Sequence, residues 1–150
     1  MVEESLALAT KIGTRFVRQQ QKALLATCLL ALGQLDALPS LCEEAIGLAE
    51  EAGDKWTKAL SLRTLGEACS VLDPSDAQKA ETAILQAIRL LEEIGAKPDL
   101  ARSYLSYARL LRTKGEVDKA KEQLAKAIGM FREMGMAWDL AQAEQALREV

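Results

Sequence analysis

The stretch DLARSYLSYARLLRTKGE, residues 99–116, carries the rule by which the chain is built. Leu100, Tyr104, Tyr107 and Leu111 recur at helical spacing, so they share one face of a helix. The pattern stops at Gly115, a residue that can close a helix in the left-handed conformation at low steric cost. Working outward, Gly13, Gly33, Gly53, Gly95, Gly115 and Gly135 lie 20, 20, 42, 20 and 20 residues apart. Asp73-Pro74 divides the long interval, with Asp73 lying 20 residues after Gly53 and 22 before Gly95. A period of about 40 made of two halves of about 20 is the signature of stacked helical hairpins.

The spacing predicts helices over 1–12, 15–32, 36–52, 55–72, 75–94, 98–114, 117–134 and 137–149. Pro39, Pro74 and Pro98 are expected in first turns, where the missing N–H costs no intrahelical bond. Asp36, Asp73 and Asp118 stand near helix starts, where a carboxylate can accept orphan N–H groups. The expected organisation is one domain over 1–150: an unpaired second helix at 1–13, repeats at 14–53, 54–95 and 96–135, and a closing helix at 136–150.

The residues between the glycines resemble the tetratricopeptide repeat. Leu62, Leu65-Gly66 and Cys69 face Ala80, Ile84 and Ala87 in that pattern. Tyr104, Tyr107-Ala108 and Leu111 face Ala120, Leu124 and Ala127, and a weaker copy runs from Leu25-Ala26 and Leu29 to Leu38, Cys42 and Ala45. Small residues at Ala26, Gly66 and Ala108 suit a close approach of two helix backbones. The period of about 40 exceeds the usual value of about 34 and matches HEAT-like repeats, but the small-residue pattern favours the tetratricopeptide reading. The long form, with Tyr107 to Leu111, Gly115-Glu116, Phe131 to Gly135 and Trp138, is similar to repeats appended to bacterial multidomain signalling and regulatory proteins. The resemblance implies an all-α, right-handed α-solenoid of antiparallel helical hairpins with about eight helices, its first helices lining a concave groove.

Composition narrows the function. The 150 residues are 49% hydrophobic with a net charge of −3, which suits a packed core and argues against a nucleic-acid grip. RNA-reading helical repeats are disfavoured too, because equivalent positions change from Gln20 to Leu60 to Arg102 without a code. The three cysteines, Cys28, Cys42 and Cys69, sit in apolar helical runs and read as small core residues of a reducing, cytoplasmic compartment. Neither a secretory signal nor a membrane span is indicated by the sequence. Histidine is absent, the cysteines are too far apart for zinc-ligand pairs, and no glycine-rich phosphate loop occurs. The sequence therefore reads as a non-enzyme with no cofactor and no metal site.

Charge is segregated. Segments 14–33, 54–72 and 95–115 sum to +8, whereas the remainder sums to −11. With the first helices inside, this predicts a basic groove in an acidic wall. The candidate partner-binding residues are Arg63, Glu67, Arg102, Leu105, Arg109, Arg112 and Thr113; guanidinium groups at helical spacing could take carboxylates through paired hydrogen bonds. Arg63 and Glu67, four apart, could instead pair with each other. Leu105, Ser106 and Thr113 are expected on the exposed face, Tyr104 and Tyr107 in the core, and Phe16, Trp56 and Trp138 stapled to the turns before them. Asparagine is absent, so the carboxylate clamp of chaperone-tail-binding members is not expected.

These features point to a protein-protein interaction module, the C-terminal part or a fragment of a cytoplasmic signalling or regulatory protein, taking an acidic peptide or protein segment in a basic groove. The alternative is a sensor domain for an anionic small molecule or phosphopeptide. The apolar side of helix 1–12, with Leu6, Ala9 and Ile12, offers a surface for self-association.

Overall fold

A computed structural model gives the architecture, and the description covers residues 2–4 and 18–150. Seven helices follow one another: α1 (Arg18–Ala31), α2 (Leu38–Ala52), α3 (Lys55–Leu72), α4 (Ala77–Ile94), α5 (Lys97–Thr113), α6 (Val117–Met134) and α7 (Ala137–Arg148). Residues 2–4 are helical as well, and no strand occurs among the described residues. The chain is an all-α solenoid of antiparallel hairpins. Gly13, Phe16 and the apolar side of helix 1–12 lie outside the described residues.

The glycine ruler acts through one recurring cap. Gly53, Gly95 and Gly135 have φ near 70°, with Gly33 at 72° and Gly115 at 81°, a conformation that L side chains rarely adopt. The next residue's N–H returns to a carbonyl in the preceding turn: Asp54 to Ala49, Ala96 to Leu91 and Met136 to Phe131, at 2.8–3.1 Å. Ala49, Leu91 and Phe131 are wholly buried, so each cap fixes the chain reversal against the core.

Where the ruler lacks a glycine, the local solution differs. Asp73 closes α3 with its N–H on Cys69 O, and Asp76 N–H bonds Asp73 O across a turn containing Pro74. Pro74 thus lies in that turn and outside the first turn of α4, whereas Pro39 and Pro98 do sit in first turns. The expected carboxylate caps also shift. Asp36, Asp73 and Asp118 cap no helix start with a side chain; Asp54 does, accepting from Thr57 N at 3.0 Å and from Thr57 Oγ1 at 2.6 Å.

Three apolar clusters run along the stack. Ala26, Leu38, Cys42, Leu65, Ala68, Cys69, Ala80 and Ile84 form one, Ala59, Leu62, Ala83, Ala87 and Leu91 a second, and Ala108, Leu124, Ala127, Ile128, Phe131 and Ala143 anchor the third. Tyr104 packs against both the first and the third, welding successive hairpins together. The hydroxyls of Tyr104 and Tyr107 reach the rim and donate to Glu92 and Glu81; burial, followed by the carboxylates, pushes both phenols up to about 12. Gly66 is the most crowded of the described glycines. A Cβ there would stand 2.5 Å from Ile84 Cγ1 and 3.0 Å from Ala80 O, so only glycine lets α3 and α4 approach this closely. Of the cysteines, Cys42 and Cys69 are buried as expected, but Cys28 is exposed because it falls on the outward side of α1.

Candidate functional site

Successive first helices touch: α1 meets α3, α3 meets α5, and α5 meets α7. Among the described residues the second helices α2, α4 and α6 make no comparable contact with one another. Pairing of that kind draws the first helices together on the inside of the stack, so their side chains form one continuous face.

That face is crossed by bonds from one repeat to the next. Asp99, in the first turn of α5, accepts from Trp56 Nε1 at 2.8 Å; its backbone carbonyl accepts from Arg63 Nη1 at 3.2 Å, and Arg102 Nη1 stands 3.5 Å from its carboxylate. Asp139 takes Arg102 through two bonds, 2.9 Å from Nε and 3.3 Å from Nη2. Asp99 and Asp139 each lie four residues past a helix-closing glycine, Gly95 and Gly135, so the same register delivers a carboxylate to the inner face in successive repeats. Arg112 Nη1 reaches Glu149 at 2.7 Å, and Glu67 accepts from Ser106 Oγ at 2.5 Å. In the first repeat Gln19 Nε2 reaches Asp54 at 3.3 Å.

Protonation follows from these contacts. Burial draws the Arg63 guanidinium below its ordinary value, opposed by Glu67 and Asp99. The hydrogen bond to Asp139 raises Arg102 above its ordinary value despite burial. Hydrogen bonds from Arg112 and then Gln145 hold the Glu149 carboxyl below the usual range.

The predicted site residues are therefore brought together, but in different roles. Arg63 turns to Asp99 on the next first helix, so the alternative of an Arg63–Glu67 ion pair is not the one formed. Arg102 and Arg112 are committed to α7. Leu105 and Ser106 are buried, at 6% and 7% exposure, contrary to the expectation that they are exposed, because the neighbouring first helices cover them. Thr113 is exposed and donates to Arg109 O. Arg109 is exposed, and alone of these four arginines it makes no ion pair among the described residues.

Two clefts open on either side of Arg109. The first, about 250 Å³, is walled by Leu30, Val71, Ile84 and Leu110 with Arg109 and Arg112 at its edge. The second, about 200 Å³, lies between Arg63, Arg102 and Leu105 on one side and Trp138 and Gln142 on the other. Glu67, Ser106 and Arg109 border both. Trp138 is 72% exposed, and Trp56 turns forward to Asp99, so neither tryptophan is spent on the preceding turn in the expected way.

Sequence reasoning missed Asp99, Asp139, Glu149 and Val71. The aspartates were legible from their common distance past a glycine. The charge sum placed α7 with the acidic wall, whereas α7 is a first helix whose Asp139 and Glu149 face the arginines. Among the described residues, the four candidate arginines therefore stand among four carboxylates where a basic lining was expected.

No described helix is long and apolar enough to cross a membrane, and no group of three or more metal-ligating side chains occurs among the described residues. No family model matches the sequence, and no curated protein matches it. Among solved structures, the crystal structure of aspartyl phosphate phosphatase F from Bacillus subtilis is similar, with a TM-score of 0.75 and 23% identity over 88% of this chain and 34% of that one. The chain thus spans about a third of that protein's length. The likeness is one of fold, an all-helical stack of antiparallel hairpins.

Proposed function

We propose that this chain is a non-catalytic interaction module that takes a peptide or protein segment along its inner face, with 14–53, 54–95 and 96–135 as its repeats. The observation that carries the reading is the pair of neighbouring clefts that share Glu67, Ser106 and Arg109 as a common border. An extended segment suits such a pair, because its side chains can enter two shallow sites in succession while its backbone bridges the border between them. The internal neutralisation of Arg63, Arg102 and Arg112 weighs against a compact, highly charged anion as the ligand. The similar phosphatase is named for action on an aspartyl phosphate; the regulatory setting and cytoplasmic location of the present module rest on the sequence resemblance.

The test is selection of binders from a random heptapeptide display library, followed by NMR mapping of the best binder on the isotope-labelled protein. Shifts concentrated at Glu67, Ser106, Arg109 and Trp138 are expected. Absence of any enriched peptide, or shifts confined to α2, α4 and α6, would refute the reading.

A further inference from the structure

The charge arrangement of the inner face restricts the ligand further, on the premise that the face is a segment-binding site. Four arginines, Arg63, Arg102, Arg109 and Arg112, stand among four carboxylates, Glu67, Asp99, Asp139 and Glu149. Three of the arginines are held in ion pairs, and Glu67 accepts from Ser106. The span 5–17 contains no aspartate or glutamate that could serve Arg109. Arg109 makes no ion pair of its own among the described residues, although its charge also acts on Glu149, and its guanidinium suits one carboxylate through two parallel hydrogen bonds.

A second negative charge finds no such partner. Glu67 borders both clefts and Asp139 borders the second, so each further acidic group meets a like charge or must break an existing pair. Beside Arg109, the first cleft offers Leu30, Val71 and Leu110 over a floor of Ile84. Val71 is 61% exposed, an apolar surface that an aliphatic side chain would remove from water.

We propose that the groove selects a segment with a single carboxylate side chain seated on Arg109 and an adjacent aliphatic side chain lodged against Leu30, Val71 and Leu110. Runs of acidic residues and phosphorylated side chains are discriminated against, since of these four arginines only Arg109 is without an ion pair among the described residues, while Glu67, Asp99, Asp139 and Glu149 stand around it. The partner is thus apolar with one acidic anchor, in contrast to the generally acidic partner that the segment charges suggest.

Sequencing the heptapeptides selected on the wild-type protein tests this, followed by affinity measurement of the best sequence on Arg109→Gln and Val71→Asp, both at exposed positions and both checked for folding by circular dichroism. Enrichment of one Glu or Asp beside Leu, Ile or Val is expected, with about tenfold or greater weakening by each variant. Replacing the peptide's carboxylate by its amide should weaken wild type by a similar factor and leave Arg109→Gln unchanged. Peptides that map to the groove but are rich in consecutive acids, or bind Arg109→Gln as well as wild type, would overturn the inference while leaving the groove reading intact. Failure to enrich any peptide would overturn both.

Discussion

Gly66→Ala isolates the contact on which the hairpin of α3 and α4 depends. Alanine is favoured over glycine in a helix interior by about 1 kcal/mol, so propensity alone predicts stabilisation. Against this, the new methyl would lie 2.5 Å from Ile84 Cγ1 and 3.0 Å from Ala80 O. Ile84 is 1% exposed and β-branched, and the carbonyl belongs to a helix backbone, so neither obstacle can swing aside. Overpacking of this kind costs about 1–3 kcal/mol, and two rigid obstacles place it near the upper end. The net expectation is destabilisation by about 1–2 kcal/mol, a fall in Tm of about 3–6 °C for a chain of this size. Gly47→Ala and Gly129→Ala are the controls: a Cβ meets nothing within 4 Å at either position, so each should gain about 0.5–1 kcal/mol. Urea and thermal unfolding followed by circular dichroism at 222 nm, the usual helix band, would read all three. The double variant Gly66→Ala with Ile84→Ala should cost about 1 kcal/mol less than the sum of its parts, since the second change removes the atoms struck by the first. If Gly66→Ala melts at or above wild type, as the two controls should, the close approach of α3 and α4 is refuted.

Other expectations follow from single side chains. Burial tends to raise the Asp54 carboxyl, but hydrogen bonds from Thr57 and the neighbouring glutamines prevail and hold it below its ordinary 3.8. Its stabilising effect is therefore complete above about pH 4 and lost as pH falls through the lower folded-state value. Asp54→Ala should cost about 1 kcal/mol at neutral pH, with the difference from wild type shrinking in acid; a pH-independent difference would reject the ionised cap. For the cysteines, burial pushes the Cys42 thiol up to about 12 and raises Cys69, whereas Cys28 is exposed. A thiol reagent at pH 8 should modify one cysteine quickly in the native protein and all three in denaturant; rapid native modification of Cys42 would contradict its placement between α2 and α3.

The sequence alone determined the period and the glycine-closed helix ends among the described residues, because these rest on local physics. A left-handed glycine, a proline in a first turn and apolar residues at helical spacing each act within a few residues of themselves, and Gly53, Gly95 and Gly135 close helices where the ruler put them. The place of Gly66 was legible for a similar reason, since a small residue opposite Ile84 is a pattern fixed within one hairpin. Tertiary structure decided the site. Arg102 and Arg109 share a helix and look alike in sequence, yet one is bound to Asp139, 37 residues away, and the other makes no ion pair among the described residues. Which charge remains available depends on how α5 stacks on α7, because an ion pair is set by distances of a few ångströms between side chains of different repeats, and a segment's net charge does not contain those distances.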